Sequence, residues 1–151
     1  LNPCRPKNSL HGTATQAQMR LYTSIHQKIG DNFGVVTSYD GYDEISLTSE
    51  FKIVTKLYER VYTPVEMGLR YTTREELYGG NAPEEAAAIF DSVLEGTSTL
   101  SQKNVVIANA ACGISIMDKN LSMSETVEMA RESLESGKAL ECFRRFLNIN
   151  S

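Results

Sequence analysis

The chain has 151 residues, enough for one domain with a buried core, and 41% of them are hydrophobic and 23% charged. This composition is ordinary for a globular protein and excludes a disordered chain or a disulfide scaffold. The net charge is −4, and the Lys and Arg residues are scattered along the chain. Neither a nucleic-acid partner nor an anionic membrane is therefore indicated.

Cysteine usage and the start of the chain bear on its compartment and completeness. Cys4, Cys112 and Cys142 are odd in number and far apart, which argues against a disulfide framework or a zinc site and favours a reducing cytoplasm. No stretch approaches the roughly 18 apolar residues of a membrane helix, and the N-terminus has no signal-peptide pattern. The chain begins with Leu1 rather than Met, which predicts a piece of a longer protein.

The first third of the chain alternates strand and helix patterns. A short segment at 9–13 fits a strand, and apolar residues at helical spacing predict a helix over 15–29 with Gly30 as its left-handed C-terminal cap. The β-branched run 33–37 follows a short turn, as in a βαβ unit of a parallel sheet. Residues 38–48 then form a predicted loop at the strand's carboxyl end, the edge where open α/β sheets place ligands.

A hairpin and four helices are predicted for the rest of the chain. The β-branched and aromatic runs 51–55 and 58–63 lie close together, which indicates a hairpin or an edge pair. The predicted helices are one that begins with a capping box at 81–84 and ends at Gly96, a central buried one over 105–117, one from Ser122 to Gly137, and a last one through 139–147.

The segment 40–46 (DGYDEIS) is the one place where residue types alone suggest chemistry. Asp43 and Glu44 follow a strand, and two carboxylates on such a loop can share a hard cation such as Mg²⁺. Adjacent side chains in an extended segment point apart, so the pair needs a loop conformation or two ions. Acidic pairs in loops are usually solvated surface, and composition alone favours that interpretation by about four to one.

Two other features favour structural roles. Residues 78–81 precede a helix N-terminus and could hold a phosphate. Asn81 is expected to cap that helix itself, and the glutamates at 84–85 add negative charge, so a structural turn is favoured by about three to one. His11 and His26 are isolated, and a packed or surface role is favoured over that of a catalytic base. No nucleophile motif is present, so no catalytic residue is assigned.

Several short motifs, in the same order, resemble those of anthranilate phosphoribosyltransferases over almost the whole chain. They are the segments 1–6 (LNPCRP), 35–36 (VV) followed by 40–46 (DGYDEIS), 63–69 (TPVEMGL), 79–82 (GGNA), 109–111 (NAA) and 136–140 (SGKAL). The glutamate of TPVEMGL stands one place later than in the family. Each motif is short, but their common order makes the resemblance specific.

The chain departs from this family at a few points. Thr37 and Ser38 stand where the family usually has His-Gly, and Glu85 stands where it has Asn; neither change is expected to touch the acidic pair. The family's glycine-rich pyrophosphate loop, its Lys-His-Gly-Asn segment and the arginine that faces anthranilate lie upstream of Leu1. The resemblance therefore implies the C-terminal portion of an α/β glycosyltransferase domain, with an incomplete mixed sheet, flanking helices and no N-terminal helical domain.

The resemblance also implies an activity, namely transfer of a 5-phosphoribosyl group from phosphoribosyl pyrophosphate to anthranilate in tryptophan biosynthesis, with Mg²⁺ as cofactor. It makes Asp43 and Glu44 the expected metal ligands, which reverses the interpretation from composition. Glu44, Asn2 and Pro3 are expected to contact substrate. The 151 residues alone are expected to be inactive and, because apolar surface is left uncovered, to form homo-oligomers.

Two alternatives remain. A related nucleoside phosphorylase would use inorganic phosphate, and the Asp-Glu-Ile-Ser sequence at 43–46 argues against it. A non-enzymatic nucleic-acid-binding paralogue would need a basic surface, whereas this chain is acidic.

Overall fold

A computed structural model describes residue 4 and residues 6–150, except for the side chain of residue 150. The elements in chain order are β1 (Asn8–Gly12), α1 (Gln16–Ile29), β2 (Asn32–Ser38), β3 (Phe51–Thr55), β4 (Glu59–Tyr62), two short 3₁₀ helices (Pro64–Met67 and Glu75–Leu77), α2 (Pro83–Leu94), α3 (Leu100–Met117), α4 (Met123–Glu135) and α5 (Lys138–Asn150). Of the helices in this part of the chain, none is long and apolar enough to cross a membrane.

The described strands form one mixed sheet in the order β1-β2-β3-β4. β1 and β2 are parallel, joined through α1, with Leu10 opposite Gly34. β3 pairs antiparallel with β2 and with β4, so that Ile53 lies opposite Val36 on one side and Arg60 on the other. The predicted βαβ unit, hairpin and α/β class are confirmed.

Helix α1 covers one face of the sheet and has the predicted ends. The Thr15 hydroxyl accepts a hydrogen bond from the Gln18 N–H at its start, and Gly30 caps its end in the left-handed conformation with φ 80°. His26 is 2% exposed, and its Nδ1 lies 3.0 Å from both carboxylate oxygens of Asp31, so it is a packed histidine. Met19 joins it in the interface with the sheet.

The larger core lies on the other face of the sheet, where α3 and α4 pack. Ile107, Ala108 and Cys112 of α3 are at most 1% exposed. The expectation that α3 is central and buried is confirmed for only part of its surface, because Val106 is 42% exposed and Met117 70%. A helix that packs on a sheet and on one neighbouring helix still leaves a third side open, and here that side carries apolar residues.

The start of α2 differs from its prediction. The N-cap is Ala82, which has no side-chain hydrogen bond, so the expectation that Asn81 caps the helix is wrong. Glu85 instead accepts a hydrogen bond from the Asn81 N–H at 2.8 Å. The capping box predicted at 81–84 is therefore absent, and Pro83 is the first helical residue. A carboxylate already occupies this helix end, which supports the structural interpretation of the preceding turn.

Candidate functional site

The acidic loop, residues 39–50, connects β2 to β3 at the carboxyl end of β2. Its two ends are tied together, since the Tyr39 N–H donates to the Glu50 carbonyl at 3.0 Å. The Ser38 N–H donates to the Tyr42 carbonyl at 3.1 Å and turns the chain back on itself. β1 is parallel to β2, so its own carboxyl end, at Gly12, lies at the same edge of the sheet. The predicted loop position is confirmed.

Asp40 has a structural role in this loop. Its carboxylate accepts hydrogen bonds from Ser46 Oγ at 3.5 Å and from Thr48 Oγ1. The guanidinium of Arg74 donates to the Asp40 carbonyl at 3.0 Å and lies over the Tyr42 ring. These contacts occupy Asp40, whereas Asp43, Glu44 and Glu50 have exposed side chains whose carboxylates accept no hydrogen bond from the described residues.

Two side chains anchor the acidic loop in the core. Ile45 and Leu47 are fully buried in the cluster that joins the sheet to α3. Leu47 has φ 59°, a left-handed conformation that costs a non-glycine residue roughly 1–2 kcal/mol. The burial of two large apolar side chains, at about 1.5–3 kcal/mol each, offsets that cost. The loop is therefore held in one shape although it lacks regular secondary structure.

The Glu44–Ile45 peptide group is held at both ends. The Ser38 hydroxyl donates to the Glu44 carbonyl at 2.6 Å. The Ile45 N–H donates to Asn109 Oδ1 at 3.0 Å, and Asn109 Nδ2 donates back to the Ile45 carbonyl at 2.9 Å. The expectation that residues 37 and 38 do not touch the acidic pair is therefore wrong for Ser38. Asn109 was not predicted as a site residue, although it lies in the NAA motif.

The side chains of Asp43 and Glu44 are exposed. Within the described residues, neither carboxylate forms a hydrogen bond or an ion pair. Gly12 packs directly against the Asp43 backbone, because a Cβ at position 12 would lie 1.6 Å from the Asp43 carbonyl oxygen. The two carboxylates thus lie at the edge where open α/β sheets generally bind ligands, and β1, β2 and α3 all contact the backbone that carries them.

The donor set fits Mg²⁺ bound together with a substrate. Across residue 4 and residues 6–150, no group of three or more His, Cys, Asp or Glu side chains could enclose a metal. Mg²⁺ does not need one, since it usually takes one or two carboxylates and completes its shell with phosphate oxygens and water. Asp43 and Glu44 supply two such carboxylates, and their oxygens are hard donors.

An apolar cleft of about 300 Å³ opens beside the acidic loop. It lies between the loop and helices α2 and α3, and its lining includes Glu44 but not Asp43. The predicted apolar face of α2 lines this cleft and is not covered, since Phe90 is 48% exposed and only Val93 of that helix is buried. The structure thus places Glu44, and not its neighbour, beside apolar surface. Asn2 and Pro3, the other expected substrate contacts, lie outside the described residues.

Comparison with protein families identifies the fold. The glycosyl transferase family, a/b domain, matches residues 1–140. The chain belongs to this family. Among curated relatives, it is 51% identical over 151 residues to the anthranilate phosphoribosyltransferase of Phocaeicola vulgatus and 49% identical over 150 residues to that of Bacteroides fragilis. The resemblance indicated by the motifs is confirmed.

The chain spans about half the length of these relatives, 46% of the first and 45% of the second, while the matches cover 100% and 99% of the chain itself. Solved structures agree with the fold. The crystal structure of the Thermus thermophilus anthranilate phosphoribosyltransferase matches with a TM-score of 0.82 and 30% identity, over 91% of this chain and 41% of that one. The Saccharomyces cerevisiae enzyme in complex with PRPP and Mg matches in fold with a TM-score of 0.83 and 20% identity, over 94% of this chain and 41% of that one.

Proposed function

We propose that residues 1–151 form the C-terminal portion of the α/β domain of an anthranilate phosphoribosyltransferase. The complete enzyme transfers the 5-phosphoribosyl group of phosphoribosyl pyrophosphate to the amine of anthranilate, in tryptophan biosynthesis. The observation that carries this proposal is the pair of free carboxylates, Asp43 and Glu44, at the carboxyl end of β2. The 51% identity to a relative of that name supports it.

Asp43 and Glu44 are the proposed metal ligands, and Glu44 also contacts the metal-bound substrate. Bound Mg²⁺ neutralises the negative charge that grows on the departing pyrophosphate. The two residues contribute carboxylate oxygens on a backbone fixed before substrate arrives, so no binding energy goes into ordering the loop. Interactions that strengthen as charge develops lower the barrier more than they stabilise the bound substrate.

The surroundings of Glu44 suit this role. The cleft beside it is lined mostly by apolar side chains of α2 and α3, including Ile89 and Val105. Apolar walls lower the local dielectric constant, which strengthens the interaction of a carboxylate with a cation. Asn2 and Pro3 line the substrate approach in this proposal.

We also propose that residues 1–151 alone do not complete the active site. They span 46% of the Phocaeicola vulgatus relative, and their motifs do not include the family's pyrophosphate loop. The isolated chain therefore lacks turnover and binds Mg²⁺ weakly, since two exposed carboxylates without substrate phosphates make a poor Mg²⁺ site.

The proposed cellular setting is the cytoplasm, with the chain in a homo-oligomer. Cys112 is buried and Cys142 is exposed, and neither forms a disulfide bond, which supports a reducing compartment. The exposed apolar side chains around the cleft, among them Phe90 and Val106, give a second copy of the chain a surface to cover.

A chimeric enzyme tests the proposed activity. Residues 1–151 replace the aligned portion of the Phocaeicola vulgatus enzyme, and the consumption of anthranilate is measured with phosphoribosyl pyrophosphate and Mg²⁺. The chimera is expected to turn over, whereas the 151-residue chain alone is not. The unmodified relative is the positive control. A folded chimera without transferase activity would overturn the proposal, and phosphate-dependent cleavage of nucleosides by the chimera would favour a phosphorylase instead.

A further inference from the structure

The side chain of Asn109 is fully engaged, and most of its bonds go to one distant residue. Its Oδ1 accepts from the Ile45 N–H at 3.0 Å, and its Nδ2 donates to the Ile45 carbonyl at 2.9 Å. The second Nδ2 proton goes to the Val105 carbonyl, also at 2.9 Å, one turn back on α3. A residue 64 positions away in sequence thus pairs with both backbone groups of Ile45, as a neighbouring strand would.

These contacts determine the orientation of one peptide plane. The Ile45 N–H belongs to the peptide group whose carbonyl is that of Glu44, and the Ser38 hydroxyl donates to that carbonyl at 2.6 Å. Asn109 and Ser38 therefore hold opposite ends of the same planar unit. This plane ends at the Cα of Glu44, so holding it in place, together with the buried Ile45 side chain, restricts the position of the Cα that carries the Glu44 carboxylate.

The side chains of Ile45 and Glu44 lie in different environments. Ile45 is fully buried in the core, while Glu44 is exposed and lines the cleft. The buried Ile45 side chain and the exposed Glu44 side chain leave the same short stretch of backbone, so an anchor on the Ile45 backbone also limits the direction of Glu44. Nothing else on α3 among the described residues donates to or accepts from the backbone of residues 43–46.

We propose that Asn109 is a positioning residue, which sets the direction of the Glu44 carboxylate through the Ile45 backbone, with Ser38 as its partner. This inference rests on the proposed function, in which Glu44 binds Mg²⁺. Residues that orient a metal ligand without touching the metal typically change metal affinity or activity by 10–100-fold when replaced. A loss on that scale, with the fold retained, separates orientation of the ligand from simple support of the core.

The test uses the chimeric enzyme with three variants and a matched control. Asn109→Ala removes all the hydrogen bonds of the Asn109 side chain to Ile45 and Val105. Asn109→Asp keeps an acceptor for the Ile45 N–H but has no protons for the Ile45 and Val105 carbonyls. Ser38→Gly removes the hydrogen bond from the Ser38 hydroxyl to the Glu44 carbonyl. Asn104→Ala is the control, because Asn104 is a more buried asparagine of the same helix whose Oδ1 has no hydrogen-bond partner.

The main readout is the Mg²⁺ concentration for half-maximal activity. It is expected to rise about tenfold or more in Asn109→Ala and Asn109→Asp, and in the same direction in Ser38→Gly, while Asn104→Ala leaves it unchanged. An unchanged Mg²⁺ requirement in folded Asn109→Ala overturns the proposal. If that variant does not fold, an unchanged requirement in Asn109→Asp and Ser38→Gly overturns it equally.

A second readout does not depend on activity. In the 151-residue chain, amide hydrogen exchange at Ile45 is expected to become about tenfold faster in Asn109→Ala than in Asn104→Ala, because the Ile45 N–H loses its hydrogen bond to Asn109. Equal exchange rates at Ile45 in the two variants contradict the proposal that Asn109 restrains the Ile45 backbone.

The double variant Asp43→Asn with Glu44→Gln separates the two proposals. If it loses its response to Mg²⁺ while Asn109→Ala keeps the normal response, only the positioning role is overturned. If it keeps normal activity and Mg²⁺ dependence, the metal role of the acidic pair is overturned, and the positioning role with it.

Discussion

Gly12 and Asp43 are in direct backbone contact, so close that a Cβ on Gly12 would lie 1.6 Å from the Asp43 carbonyl oxygen and 2.7 Å from its carbonyl carbon. The obstacle to a side chain at position 12 is backbone, which cannot rotate away as the end of a flexible side chain could. The end of β1 therefore packs directly against the backbone of the acidic loop.

Gly12→Ala should therefore displace the loop and lower activity in the chimeric enzyme. A methyl group must push either the end of β1 or the Asp43 backbone aside, and a misplacement of about 1 Å can cost about 10²-fold in rate. Gly79→Ala is the control, because a Cβ there meets nothing within 4 Å. Steady-state rates at saturating Mg²⁺ measure the effect, and equal rates for the two variants would mean that the contact does not matter.

Asp43→Asn combined with Glu44→Gln should leave the fold of the chimera intact and reduce turnover by a factor on the order of 10² or more, if the metal supplies several kcal/mol at the leaving group. Both side chains are exposed and unpaired within the described residues, so the neutral replacements break no contact in the protein. Circular dichroism checks the fold, and rates across a Mg²⁺ titration check the role. Wild-type turnover and metal dependence would rule that role out.

The isolated chain should self-associate through the exposed apolar surface around the cleft. Val106→Ser is expected to weaken this association, because Val106 lines the cleft and is 42% exposed. Met117→Ser is the control, since Met117 is 70% exposed and lies on the same helix but does not line the cleft. Sedimentation velocity over a concentration series measures the association. A monomeric unmodified chain, or equal effects of the two variants, would count against this surface.

Glu76 should make the stability of the chain depend on pH in the acid range. Hydrogen bonds from Thr72 first, then from Arg70 and the Thr73 backbone, lower the pKa of Glu76 from 4.5 to about 2. Between those values the unfolded state binds the proton more tightly, so the stabilisation is complete above about pH 4.5 and is lost as the pH falls toward about 2.

Glu76→Gln is therefore expected to lower the midpoint of urea unfolding at pH 7 and to differ less from the unmodified chain at pH 3. Glu50→Gln is a suitable control, because the Glu50 carboxylate is exposed and accepts no hydrogen bond from the described residues. A Glu76→Gln difference that stays constant from pH 7 to pH 3 would show that the carboxylate's charge is not involved.

Local sequence signals were sufficient for most of the helices and strands. The ends of α1 are set by the Thr15 hydroxyl and by Gly30, and both contacts lie within four residues of the groups they satisfy. Ser122, the predicted start of α4, likewise forms a capping box with Glu125. Signals of this kind depend on spacing along the chain, which the sequence displays directly.

The start of α2 shows where such local reasoning fails. Asn81 has the right chemistry for an N-cap, but the helix begins one residue later, and the longer side chain of Glu85 reaches the Asn81 N–H. The two roles involve different backbone donors, because an N-cap side chain accepts from an N–H inside the first turn, whereas Glu85 accepts from the Asn81 N–H before the helix. A residue type that suits an N-cap does not by itself fix the residue at which the helix begins.

The sequence by itself determined the α/β class, the βαβ unit, the hairpin and the position of the acidic loop, because periodicity and turn residues act over a few positions. Only the tertiary structure decided how that loop is held. Asn109 meets Ile45 across 64 residues, Gly12 meets Asp43 from another strand, and Ser38 turns back to Glu44 across the loop. Such contacts follow from the packing of the sheet against α3. That packing brings residues together whose positions in the sequence do not indicate that they are close in space.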